Sequence, residues 1–172
     1  MAPYTRQIAL SALQRAACKL IPQGINIALG IRELVRQGYL FPALVLMRPL
    51  IERTATLSYL IAHEDAAPAW EGGDWRGSKG PGLNAMLDSM GGGIDQNAAK
   101  MVCRTFHQID HADPAASQWN LVPLGDGGFG YAASKLIDNP ELCDFICYQS
   151  YCYLIVMTAA MGSCFPDAFG GD

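Results

Sequence analysis

The chain has 172 residues, enough for one domain with a sizeable core, and its charged residues make up only 16% against about 25% in an ordinary soluble domain. Apolar residues reach 51%, so the surface is short of charge and the surplus apolar area is expected to be covered in a homodimer. The net charge of −4 excludes a protein coated in basic residues for tight duplex binding and leaves room for a local basic site.

In chain order, the first predicted element is a helix over residues 4–37. Ile8, Ala12, Arg15 and Lys19 alternate apolar and basic character around its first part, and Ile27, Ile31, Leu34 and Val35 recur at helical spacing in its second. Pro22 and Gly24 are expected to break or kink the run, and Gly38 is a natural stop. The opening residues hold charges within their apolar stretch and no cleavage pattern, so no signal peptide and a cytoplasmic location are expected. A second helix is predicted from about Pro42 to Glu64, apolar on nearly every face and therefore central, with Pro49 bending it.

Residues 65–82 read as a long loop containing Trp70 and Trp75. Their glycines match neither GxGxxG nor GxxxxGK[ST], so no phosphate-binding fingerprint is present. A short helix is expected over 83–90, ended by the glycines at 91–93. Asp95 is the expected N-cap of a helix over about 96–111. A second long loop covers 113–137, with GDGGFG at 125–130, and no convincing strand is visible. Asp138 and Pro140 look like the cap and first turn of a last helix over about 139–163. Its stretch FICYQSYCYLIVMTAAMGSCF approaches the length of a membrane span. Gln149 and Ser150 interrupt it and no basic cluster flanks it, so a central buried helix and no membrane are expected. The six cysteines form no CxxC pair and are expected to be free buried thiols. The expected architecture is a single all-α domain over residues 1–172, an up-and-down bundle of about five helices.

The chemistry-bearing stretch is RTFHQIDHADP at 104–114. On a helix, Arg104 and His111 lie near one stripe, His107 fills the gap between them, and Asp110 stands three residues beyond His107. Val102, Phe106 and Ile109 face the other way and can supply core contacts. Three readings are open: a solvated helix end, a metal site, and acid–base chemistry on a phosphodiester. The metal reading uses His107 and His111 with His63, Asp110 or Asp113, but Gln108 stands where HExxH needs its glutamate. In the third, an imidazole moves a proton near neutral pH and an arginine stabilises charge on phosphorus, with no metal or other cofactor. Arg48 and Glu52, four apart on the second helix, form either a structural ion pair, with Arg48 alternatively bonding carbonyls near Pro49, or part of a polar pocket. Arg53 is expected to be exposed.

Arg104 and His111, as Arg-x6-His near a helix end, resemble the R-x4-6-H motif of the HEPN superfamily. Thr105 departs from the polar residue that often follows the motif arginine. LFPALVLMRPLIERTATLSYL at 40–60, with Arg48 and Glu52 as Arg-x3-Glu, is similar to a helix in an uncharacterised bacterial family of HEPN-like proteins. The resemblance spans roughly residues 25–165. It implies a helical dimer with two motifs face to face, and metal-independent RNA cleavage in a toxin–antitoxin or antiviral defence system. Arg104 would then hold phosphate, His111 act as general acid or base, and His107 assist. Arg48, Glu52 and Asp110 would shape the binding pocket, and Trp70 and Trp75 could stack bases. An antitoxin-like protein partner follows from the same resemblance. The rivals are a non-catalytic module binding a nucleotide or protein, which the acidic net charge and Thr105 favour, and a helical metal protein.

Overall fold

Ser11 sets the start of the first helix. Its hydroxyl accepts from the Gln14 backbone N–H while the Gln14 side chain reaches back to the Ser11 N–H, a reciprocal cap that satisfies two otherwise orphaned donors. In the computed structural model, which describes residues 9–75, 80–90, 96–110, 117, 119–132 and 135–169, helix α1 is therefore Ala12–Arg36. Residues 9–11, expected to be helical, are not, and residues 4–8 of the expected helix lie outside the described residues. Pro22 does not break it: the residue is exposed, so the Cys18 carbonyl it leaves unpaired can meet water. Gly24 has a separate role. A Cβ there would stand 2.2 Å from the Met157 sulfur, so the end of the Met157 side chain occupies the space above this glycine and would have to move for any larger residue.

Gly38 ends α1 with φ 79°. Its N–H bonds the Val35 carbonyl and the Tyr39 N–H bonds the Leu34 carbonyl, the paired bonds that close a helix through a left-handed residue. The chain turns at once into α2, Leu40–Ala62. This helix is central as expected, with Met47, Leu50, Ile51, Ala55, Leu57 and Leu60 all at 0% exposure. Pro49 lies inside it without ending it, and its carbonyl accepts from the Arg53 guanidinium, which also bonds Gln23 of α1. Arg53 is half-buried rather than exposed.

The expected loop at 65–82 is partly helical. A 3-10 turn at Glu64–Ala66 leads into α3, Ala67–Gly72. Glu71 on α3 binds both Arg15 and Lys19 of α1 at 2.7 Å. Helix α4 is Leu83–Asp88 and α5 is Gln96–Asp110. Asp95, the expected cap of α5, lies outside the described residues. The second expected loop holds a short antiparallel hairpin that the sequence reading missed, β1 Leu121–Pro123 with β2 Phe129–Tyr131, paired Leu121 to Tyr131. Strands of three residues are too short to show alternation.

Helix α6, Pro140–Cys164, is capped by Asn139, whose side chain accepts from the Leu142 N–H. Asp138 is therefore not the cap. Helix α7, Pro166–Phe169, follows. Gln14 bonds the Cys164 carbonyl and Gly24 abuts Met157, so α6 runs antiparallel to α1 along their whole length. Ser150 reaches Met47, which sets α6 beside α2. The fold is mostly helical, with α1, α2 and α6 as its frame and α4 and α5 on another side of α2. Contrary to expectation, α6 is not central: only 28% of its most apolar 18-residue stretch is buried. The cysteines divide likewise. Cys103 and Cys164 are buried, while Cys18 and Cys147 are exposed.

Candidate functional site

Three cations meet where α2, α4 and α5 come together. Helix α5 turns Ala99, Val102 and Cys103 into the core, and that rotation leaves Lys100 and Arg104, one turn apart, on the side facing α4. Arg48 of α2 completes the wall. A cavity of about 300 Å³ is lined by Arg48, Leu83, Asn84, Lys100, Cys103 and Arg104. Two of the cations have acidic partners among the described residues. Arg48 Nε donates to Glu52 Oε1 at 2.8 Å, with 19% and 40% of the two side chains exposed, and Lys100 Nζ bonds Asp88 of α4. The ion-pair reading of Arg48 and Glu52 thus holds, and the pair also borders a cleft. Arg104 is exposed at its mouth.

Cys103 forms an apolar patch within this wall. Burial pushes its thiol up to about 11, the Glu52 charge adding to the effect and the Arg48 charge opposing it. The thiol is therefore neutral at physiological pH and a poor nucleophile. In the same core cluster lies Tyr153 of α6, 1% exposed. Its hydroxyl has no hydrogen-bond partner among the described residues. Burial, with the nearby Cys103 and Cys152 thiols adding, holds it firmly protonated.

The structure brings Arg104 and Arg48 to one cleft and adds Lys100 and Asn84, which the sequence reading passed over. The signal for Lys100 was its i, i+4 spacing from Arg104; Asn84 had none, because its place depends on how α4 folds back. His107 and Asp110 belong to α5, but the described side chains of that helix are those of 97–104. His111 and Asp113 lie outside the described residues. His63 is elsewhere, at the end of α2, stacked on Tyr59 at 4.1 Å between ring centres with a ring nitrogen 3.1 Å from the Tyr59 carbonyl. Among the described residues, no group of three or more His, Cys, Asp or Glu is placed to hold a metal. Trp70 and Trp75 pack on the apolar cluster that Leu13, Leu20, Leu57 and Leu60 form with Ala160, Trp75 edge-on to Tyr59 at 5.7 Å, so they cover core instead of presenting a platform for bases.

Comparison of the chain with family models, curated proteins and solved structures yields no match.

Proposed function

We propose that the chain is a HEPN-like helical protein that binds the phosphodiester backbone of RNA at the Arg48–Lys100–Arg104 cleft and cleaves it without a metal, as a cytoplasmic toxin or antiviral defence protein. The observation that supports this reading is the convergence of three cations from two helices on one cavity of about 300 Å³, a size suited to a phosphate with part of its nucleoside. Arg104, exposed at the mouth, contacts phosphate. Arg48, held by Glu52, supplies a fixed positive wall. His111 takes the proton from a ribose 2′-hydroxyl, whose oxygen attacks phosphorus. The 5′-oxygen leaves with a proton from an imidazole, His107 assisting, and a 2′,3′-cyclic phosphate remains.

A second reading is a non-catalytic module that binds a nucleotide in the same cleft. It is favoured by the carboxylates of Glu52 and Asp88, which offset two of the three charges, and by the acidic net charge. The test is cleavage of single-stranded RNA in excess EDTA. His111→Ala should lower the rate by about 10²- to 10⁴-fold, and Arg104→Ala should lower both rate and RNA affinity. Affinity that depends on Arg104 with no cleavage by the wild type would leave the binding module. If neither cleavage nor affinity responds to Arg104, the cleft is not the site.

A further inference from the structure

The outer face of α1 and α6 shows a different kind of surface. No charged residue occurs between Asp144 of α6 and Asp167 of α7. Its buried stripe is Ile146, Ser150, Tyr153, Met157, Ala160 and Cys164, spaced alternately by four and three residues. A second stripe at the same alternation, Tyr148, Tyr151, Ile155 and Thr158, faces solvent, with Tyr148 65% and Tyr151 62% exposed. Along α1, the residues Ile25, Leu29, Arg32 and Arg36 repeat the pattern and are exposed. Between the two helices runs an apolar groove of about 330 Å³, lined among others by Ile25, Leu29, Arg32, Tyr151 and Leu154. Two antiparallel helices, each with an outward seam at coiled-coil spacing, make half of a four-helix bundle.

We infer that a second copy of this chain docks on the α1–α6 face. The face itself is the right size. Helices of 25 residues are about 37 Å long, and two side by side offer roughly 700 Å², near the ~800 Å² per partner of a stable interface. The charges are self-complementary. A two-fold axis along the helices lays α1 of one copy antiparallel over α6 of the other at unchanged height. Arg32 lies at the height of Cys147, with which it shares the groove. One turn further, Arg36 therefore comes level with the exposed Asp144 of the second copy, and Arg32 falls among Tyr148 and Tyr151, whose ring faces attract a guanidinium. Arg36 is free to change partner, because its bond to Glu33 is 3.2 Å long with both side chains more than half exposed. A bilayer fits this face poorly: Arg32 lies at the height of Cys147, two turns inside the N-terminal end of α6, so a spanning α6 would carry a cation into the hydrocarbon layer.

This interface leaves each cationic cleft, between α2, α4 and α5, outside the contact. It does not depend on the proposed RNA chemistry, and it differs from the face-to-face motifs that the HEPN resemblance implies. The experiment is light scattering coupled to size exclusion on the full chain, with helicity followed by circular dichroism. The wild type is expected as a dimer, and Tyr151→Lys as a monomer of unchanged helicity. Asp144→Arg should raise the dimer dissociation constant roughly tenfold, and adding Arg36→Asp should restore it. Phe129→Glu, a charge on the exposed hairpin, should leave the dimer intact. A monomeric wild type, a dimer that survives Tyr151→Lys, or co-sedimentation of the wild type with phosphatidylcholine–phosphatidylglycerol vesicles would each overturn the inference.

Discussion

Helices α2 and α6 have almost the same length and are both apolar around most of their circumference, yet they occupy opposite positions in the molecule. Helix α2 is enclosed by α1, α4, α5 and α6, so every apolar face of it is used. Helix α6 packs one stripe inward against α1 and α2 and leaves another in water. Apolar composition says that a helix must be covered; only the number of neighbours the chain can supply says by what.

The largest expected effect contrasts the two directly. Leu50→Ala on α2 removes a side chain of 0% exposure and should cost about 2–5 kcal/mol in urea unfolding. Ile155→Ala on α6, at 48% exposure, should cost less than about 0.5 kcal/mol in the dilute monomer. The opposite order would break the comparison. A smaller effect sharpens it from the inward side of α6. Tyr153→Phe removes a buried hydroxyl without a partner among the described residues and should raise stability by about 1 kcal/mol. A loss of stability would instead show that the hydroxyl has a partner.

The smallest effect is expected at the edge of the frame, where α3 is tied to α1 by ions instead of packing. The guanidinium of Arg15 and the ammonium of Lys19 hold the Glu71 carboxyl down at about 2, against 4.5 for an ordinary glutamate. A depressed carboxyl contributes stability above its unfolded value and loses it as pH falls through its folded one. The contribution should therefore be complete above pH 4.5 and fade toward pH 2. Thermal unfolding followed from pH 6 to pH 2.5 should show a slightly flatter decline for Glu71→Gln than for the wild type. Parallel declines would mean that exposure and solvent screening cancel the pair.

The helical class, the central place of α2 and the Arg48–Glu52 pair were all legible from spacing alone, because each depends on contacts within one helix or on one dominant face. Residues 9–11 were misread as helix because Ile8 and Leu10 carry the apolar rhythm up to Ser11, and a capping side chain outweighs periodicity at a helix end. The position of α6 was misread for a related reason. A helix with two apolar stripes looks, in sequence, like one that is surrounded. Of the cleft, Arg48 and Arg104 were found through their charge in apolar company. Lys100 was hidden among the ordinary polar residues of α5, and Asn84 reached the site only through the packing of α4 against α2 and α5.

The tight link at Gly38 also bears on how the molecule assembles. Helices α1 and α2 are joined through three residues, Gln37, Gly38 and Tyr39, so bringing them together closes a very short loop. Helix α6 must return across everything between residues 63 and 139 before it meets either of them, at a larger loss of chain entropy. The α1–α2 hairpin is therefore the natural first structure in folding, and the docking of α6 is the slow step. Until α6 arrives, the face of α2 that carries Met47 and Leu50 stays open to water, and the newly made chain is at its most prone to aggregate.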